Sequence, residues 1–324
     1  MTAALSVCGL GVRFHSADGV VAAVTDVSFE LAAGELLALV GESGCGKSVL
    51  ATALLGLLPG NAQVRGEAWL GDVDLLAASE HVLARRVRGR QVGWIPQSPA
   101  SHLTPVRTVR AQLAEALRAL GRQRSQADGL ARRAGLEPAD LDRYPHELSG
   151  GLAQRAANAI ALAGDPRVLL ADEPTNGLDR PLVWHTMDAL RRLADDGHAV
   201  LLITHDLDAV ERAADRVAVM YAGRLVEITP ADHFFTRGGP TPGPLARPGP
   251  PAGPRHPYAQ GLLHALPDRG FTPIPGLPPE LTTLPAGCAF APRCPLAWSM
   301  CAARPALRAA DADAETLVAC HAVR

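Results

Sequence analysis

An excess of charge of one sign is the first thing this sequence lacks: its formal net charge is -2, with 20% charged residues against 48% hydrophobic ones. Nucleic-acid binding wants a basic face, so this balance argues against that class of partner. Long apolar runs are missing too. No uninterrupted stretch is long enough to cross a bilayer, and the segment before Arg13 and Asp18 has neither a basic lead nor an apolar centre. The expectation is a chain made and kept in the cytosol. Aromatic side chains make up only 4%, which leaves few ring surfaces on which a flat ligand could stack. Cysteine is nearly absent from the body of the chain, with only Cys8 and Cys45 before Cys288, so a disulfide-built scaffold is excluded there. The 324 residues suffice for one large or two medium domains with a sizeable core.

Against these absences stands one dense motif, Gly41-Glu42-Ser43-Gly44-Cys45-Gly46-Lys47-Ser48, set between the apolar run Leu36 to Val40 and the helix-like run Val49 to Leu58. It fits G-x-x-x-x-G-K-[ST], a phosphate-binding loop in strand-loop-helix context. Glycines at 41, 44 and 46 allow positive φ, so the backbone can curl and point several N–H donors at one phosphate chain. A helix starting at Lys47 adds its positive dipole end. Lys47 would reach the β- and γ-phosphates, and the Ser48 hydroxyl would be a Mg²⁺ ligand. Cys45 occupies a variable loop position and is read as a small filler.

Elsewhere the periodicity sorts the chain. Leu5 to Val12 and Val20 to Leu31 alternate apolar and polar residues around the turn signal Asp18-Gly19, predicting antiparallel strands at the edge of a nucleotide domain. Phe14 and His15 are the nearest rings for an adenine. Gln91 to Gln97 is a short buried strand ending in an amide. From Ser98 to Pro145 the pattern turns helical, with Val109, Leu113, Leu117 and Leu120 at spacings of three and four. Leu148-Ser149-Gly150-Gly151-Leu152-Ala153-Gln154 then opens an apolar helix, and Ser149 with its glycines is either an anion-binding helix start or a plain N-cap. The apolar strand Val168 to Ala171 ends in Asp172-Glu173-Pro174. An acid at that end lies beside the phosphate loop, so Asp172 could hold Mg²⁺ while Glu173 polarises a water, the chain turning at Pro174. Asp179 follows in a turn, and the strand Ala199 to Ile203 ends in Thr204-His205-Asp206, which brings His205 within reach of a γ-phosphate.

Gly41 to Ser48, Gln97, Leu148 to Gln154, Leu169 to Glu173, Asp179 and His205 together resemble the ATP-binding subunit of an ABC transporter, in that family's order and over about residues 5 to 235. The resemblance implies an α/β fold: a RecA-like P-loop ATPase core in residues 1–236, with a mixed sheet, antiparallel edge strands and a helical subdomain at about 98–163. It implies that Gly41, Ser43, Gly44, Cys45, Gly46, Lys47 and Ser48 hold ATP, that Ser48, Gln97 and Asp172 attend Mg²⁺, and that Glu173, His205 and Gln97 serve hydrolysis. Ser149, Gly150 and Gly151 would bind the nucleotide of a partner subunit, with Asp179 bridging the two. Soluble ABC ATPases acting on DNA or ribosomes are the rival class. Their long coiled coils, basic arms or tandem ATPase units are not found here.

The tail narrows the family. A proline/glycine linker, 237–256, leads into an extension at 257–324. His256-Pro257-Tyr258, Ile274-Pro275-Gly276 and Gly287-Cys288-Ala289-Phe290-Ala291-Pro292-Arg293-Cys294-Pro295 look like the C-terminal region of oligopeptide, dipeptide and nickel importer ATPases. That implies two membrane permease subunits, a second ATPase making a heterodimer, an extracytoplasmic binding protein acting indirectly, and a peripheral place on the cytoplasmic face of the inner membrane. Peptide is the expected cargo, nickel or a metal chelate the alternative. Cys288, Cys294, Cys301 and Cys320 have the spacing C-x5-C-x6-C-x18-C. A proline-rich tail of about seventy residues has too small a core to fold unaided, so a metal staple is expected. The wide spacing and the family favour a [4Fe-4S] cluster over zinc. A redox gate on the ATPase and unliganded thiols remain open alternatives.

Overall fold

The structure is a computed structural model that describes residues 3–17, 19–236, 253–310 and 313–323. Strands β1 (Ala3–Ser16) and β2 (Gly19–Ala32) alternate buried and exposed side chains, the pattern of antiparallel strands with one face on a core. They pair antiparallel with Ser16 opposite Gly19; Asp18 of the expected turn lies outside the described residues. β3 (Leu36–Val40) is buried along its whole length. After it come β4 (Ala62–Leu70), β5 (Val73–Asp74) and β6 (Val92–Ile95), then β7 (Val168–Asp172), β8 (Ala199–Ile203), β9 (Arg216–Tyr221) and β10 (Arg224–Pro230).

These strands make two sheets. The expected hairpin joins β4 and β5 in a four-stranded antiparallel sheet of its own, in the order β2-β1-β4-β5. The other sheet has eight strands. Its parallel centre runs β9-β3-β8-β7-β6, and an antiparallel flank continues it through β10. Because side chains alternate across a strand, Leu36, Ala38 and Val40 join one core while Leu37 and Leu39 join another. The first core is shared with the helical insertion. There Val109, Leu113 and Leu117 are buried on one face of the helix Val109–Ala119, as their spacing predicts. Leu120, the fourth of the series, lies past the helix end and is half-buried. The second core fills the space between the sheets, where the helix Lys47–Leu54 buries Leu50, Ala51, Ala53 and Leu54.

The tail does not stand apart. Of the expected linker 237–256, residues 237–252 lie outside the described residues, and the rest is already docked. The buried Glu227 carboxylate on β10 accepts the backbone N–H groups of Arg255 (2.9 Å) and His256 (2.7 Å). The helix Pro257–His264 then puts Tyr258, Ala259 and Leu263 into the first core. Two further strands, β11 (Arg308–Ala310) and β12 (Asp313–Val318), extend the eight-stranded sheet, with Glu227 opposite Val318. The expectation that the tail needs a metal because it lacks a core is therefore corrected in its premise: the extension borrows the core of the larger unit. No helix among the described residues is long and apolar enough to cross a membrane.

Candidate active site

The phosphate loop leaves the carboxyl end of β3, and β7 and β8 end beside it, so residues far apart in sequence meet where parallel strands stop. The loop takes the shape its glycines allow. Gly41 and Gly46 have φ of 153° and 106°, and a Cβ there would fall 2.1 Å from Met220 O and 2.2 Å from Ala23 O. Gly46→Ala is therefore expected to lower stability by more than about 2 kcal/mol and to abolish nucleotide binding. Urea melts and a fluorescent-nucleotide titration check this; a parent-like melt would mean that the loop has another shape.

Lys47, the only lysine in the chain, is 7% exposed. Its ammonium donates to the carbonyls of Gly41 (2.8 Å) and Glu42 (3.1 Å). Cys45 is buried beneath, its thiol pushed up by burial against the opposing pull of Lys47, which suits a filler and not a nucleophile. Ser48 donates from its hydroxyl to Asp172 Oδ1 at 3.0 Å. Burial pushes the Asp172 carboxyl up, the Ser48 bond opposes that, and the charge of Glu173 adds to it. A buried carboxylate touching a hydroxyl at a phosphate loop is a donor set that fits a hard divalent cation.

Glu173 is the residue that turns the chain. Its φ is 48°, a left-handed conformation that costs a non-glycine residue energy, so the bend begins one residue before Pro174. This bend separates the two acids: Asp172 faces Ser48, while the Glu173 carboxylate lies 2.9 Å from His205 Nδ1. The four are thus joined in two pairs, Ser48 with Asp172 and Glu173 with His205. A cleft of about 440 Å³ is lined by Phe14, Ser43, Gly44, Gly46, Lys47, Ser48, Gln97 and Glu173 among others, a volume suited to a small-molecule ligand. Of the two expected rings, Phe14 lines this cleft. His15 instead lies 3.4 Å from the Gln63 amide oxygen.

Other expected residues stand elsewhere. Ser149 caps the helix Gly150–Ala161, accepting the Leu152 N–H at 3.3 Å, and neither it nor Gly150 or Gly151 lines the cleft. Gln154 of the same run is buried and donates to Asn158 Oδ1. Asp179 caps the helix Arg180–Asp195 by accepting from Leu182 N–H. Sequence reasoning missed Leu281, a tail residue in the cleft wall whose carbonyl accepts the Ala22 N–H at 3.0 Å.

The four tail thiols are all free and half-buried. Burial pushes the Cys288, Cys294 and Cys320 thiols up, and the charge of neighbouring thiols pushes the same way; the Cys288 N–H donates to the Cys301 carbonyl at 3.0 Å, which sets those two segments side by side. The Ala291 N–H donates to the Cys288 carbonyl at 3.1 Å, and the Cys294 N–H to the Ala291 carbonyl at 3.3 Å. Four thiols in one small extension are, by their chemistry, a donor set that fits a soft metal or cluster. Among the described residues no three His, Cys, Asp or Glu side chains stand in metal-holding geometry.

The sequence matches two known families, ABC transporter over residues 24–176 and the oligopeptide/dipeptide transporter C-terminal region over residues 252–301. It is 41% identical over 318 residues to the oligopeptide transport ATP-binding protein OppD of Mycobacterium tuberculosis, covering 93% of this chain but 49% of that protein, so it spans about half the mycobacterial relative. A putative peptide import ATP-binding protein of Brucella abortus is 41% identical over 317 residues, which is 92% of this chain and 89% of the relative. Escherichia coli OppD is 39% identical, with 94% and 89% covered. A dimeric structure of MJ0796, a bacterial ABC transporter cassette, superposes with a TM-score of 0.62 at 25% identity over 71% of this chain and all of that one.

Proposed function

The chain belongs to the ABC transporter ATP-binding proteins of the oligopeptide/dipeptide group, and from that membership we propose that it binds and hydrolyses ATP to power a peptide importer. The observation that carries this is the cleft in which the phosphate loop, Phe14, Gln97 and Glu173 meet, with Asp172 hydrogen-bonded to Ser48 and His205 to Glu173. Lys47 and the loop amides bind the polyphosphate, and Phe14 supports the base. Glu173, oriented by His205, takes the proton of the attacking water. Ser48, Asp172 and Gln97 would hold Mg²⁺, whose charge offsets that of the phosphate oxygens.

Ser149, Gly150, Gly151 and Asp179 lie away from this chain's own cleft, which suits a role across a head-to-tail dimer closed around ATP. Moving such a dimer from mostly open to mostly closed requires a differential affinity of roughly 5.5 kcal/mol, within reach of several charge-assisted bonds to a γ-phosphate. The partners are a related second ATPase and two permease subunits, with an extracytoplasmic binding protein acting through them. The chain works as a peripheral subunit on the cytoplasmic face. The names of its relatives favour peptides over nickel as cargo.

Purification of the tagged chain from native membranes without oxygen, followed by mass spectrometry, tests this reading. Two polytopic subunits and a second ATPase are expected. Recovery only from the soluble fraction, with ribosomal or DNA-repair proteins, would overturn it.

Cys288, Cys294, Cys301 and Cys320 we read as ligands of a [4Fe-4S] cluster, in preference to zinc. Four free, half-buried thiols at the spacing C-x5-C-x6-C-x18-C, with the Cys288 N–H on the Cys301 carbonyl at 3.0 Å, support this. When bound, the cluster would cross-link the two ends of the extension. Cys294→Ser is expected to lose most of the iron and sulfide of the anaerobically purified protein and to leave ATP binding in place; unchanged iron and sulfide contents would dismiss the cluster.

A further inference from the structure

The run Phe290-Ala291-Pro292-Arg293 is not used by the site described above, yet Arg293 reaches it. Its guanidinium makes a two-pronged ion pair with Glu42, the second residue of the phosphate loop: Nη1 to Oε2 at 2.9 Å and Nη2 to Oε1 at 3.0 Å. The arginine itself is fixed. Its side chain is 5% exposed, Nε donates to Pro275 O at 2.9 Å, and Nη1 also reaches the Tyr221 hydroxyl at 3.2 Å. The guanidinium stands over the Tyr221 and Phe290 rings, which pack with Tyr258 in an aromatic cluster unusual for a chain this poor in rings.

Glu42 is consequently held at every polar group. Its carboxylate is gripped by Arg293, and its N–H donates to the Tyr258 hydroxyl at 2.9 Å. Its carbonyl accepts from Lys47 at 3.1 Å. The carbonyl also accepts the Cys45 N–H at 3.3 Å; the grips on the carboxylate and the N–H both come from the extension, and the carbonyl meets the cation that would face the phosphates. A displaced Glu42 backbone would remove one of the two carbonyls, Gly41 O and Glu42 O, that hold the Lys47 ammonium in place.

We propose that Arg293 is a positioning residue of the nucleotide site: with Tyr258 it clamps Glu42, and so the C-terminal extension sets the curl of the phosphate loop and its affinity for a nucleoside triphosphate. Leu281, in the wall of the same cleft, is a second point at which the extension shapes the site. The proposal rests on the reading of this loop as an ATP site.

Charge and position predict different signs, which makes the clamp testable. If Arg293 acted only through its field, Arg293→Gln would weaken ATP binding by exposing a carboxylate near the phosphates, and Glu42→Ala would tighten it by freeing a cation. A clamp predicts that both weaken it, by tenfold or more. The double variant should be no weaker than the worse single one, and Arg293→Lys should not restore affinity, because an ammonium lacks the planar fork.

The experiment titrates the full-length chain and each variant with a fluorescent ATP analogue. It also measures the acetylation rate of Lys47, the only lysine, by mass spectrometry without nucleotide. Thermal melts count the folded fraction. Lys47 should react at least tenfold faster in Glu42→Ala and Arg293→Gln. Should Arg293→Gln fail to fold, Glu42→Ala carries the test. Tighter or unchanged ATP binding in Glu42→Ala, or an unchanged Lys47 rate, overturns the clamp. A parent chain that binds no ATP overturns the nucleotide reading instead, and the acetylation comparison still decides the clamp.

Discussion

Replacing Glu173 with glutamine should leave ATP binding intact and lower turnover by about 10²- to 10⁴-fold, the range typical for removing a general base. The substitution preserves shape and removes only the group that can take a proton. The carboxylate lines the cleft shared with Lys47 and Ser48, is only 11% exposed, and has its orientation fixed by His205 Nδ1 at 2.9 Å. Asp172 cannot substitute for it, because the bend at Glu173 sends the two acids to different partners. Loss of a negative charge near the polyphosphate makes binding equal or tighter, so the variant should accumulate with ATP in the closed dimer. Single-turnover hydrolysis together with ATP-dependent size-exclusion chromatography reads both effects. Parent-like hydrolysis at this chain's own site would remove Glu173 from the base role.

How much of this was legible in the sequence depends on the range of the contacts involved. The phosphate loop could be read because its chemistry is local: Gly41 and Gly46 need their φ, and Lys47 and Ser48 follow directly. The helical insertion could be read from one face, Val109, Leu113 and Leu117. Asp172 meets Ser48, and His205 meets Glu173, because parallel strands deliver their ends to one edge. The left-handed φ of Glu173 was not visible, since no glycine marks it, and the bend was assigned to Pro174 instead. The tail was misjudged for a physical reason. Its apolar residues are too few for a core of their own, and nothing local says that Tyr258 and Phe290 pack against Tyr221 or that β12 pairs with β10. The Arg293–Glu42 pair spans 251 residues. An arginine in a proline-rich loop and a glutamate at a variable loop position carry no mark of each other.

Lys47→Met is expected to remove ATP binding while leaving the free chain about as stable as the parent. Charge-assisted bonds contribute about 1.5–3 kcal/mol each, so losing the two that Lys47 would make to the β- and γ-phosphates costs about 3–6 kcal/mol, roughly 10²- to 10⁴-fold in affinity. Stability responds differently, because two effects oppose. Methionine leaves the carbonyls of Gly41 and Glu42 without the ammonium that now bonds them at 2.8 and 3.1 Å, at about 1–3 kcal/mol for each acceptor that water does not reach. Against this, a nearly buried ammonium no longer has to be desolvated, a relief of several kcal/mol. The two terms largely cancel, so the melting temperature without nucleotide should move by only a few degrees. The ligand effect does not cancel. At a nucleotide concentration of about 100 Kd the parent gains about 2.7 kcal/mol, worth about 4 °C in a chain of 324 residues, whose unfolding entropy is about 0.7 kcal/mol/K. Differential scanning fluorimetry with and without Mg-ATP should show that shift in the parent and none in the variant. A variant that kept the ATP-dependent shift would mean that Lys47 does not face the phosphates when nucleotide binds, and that its bonds to Gly41 and Glu42 are its resting function and not a holding position.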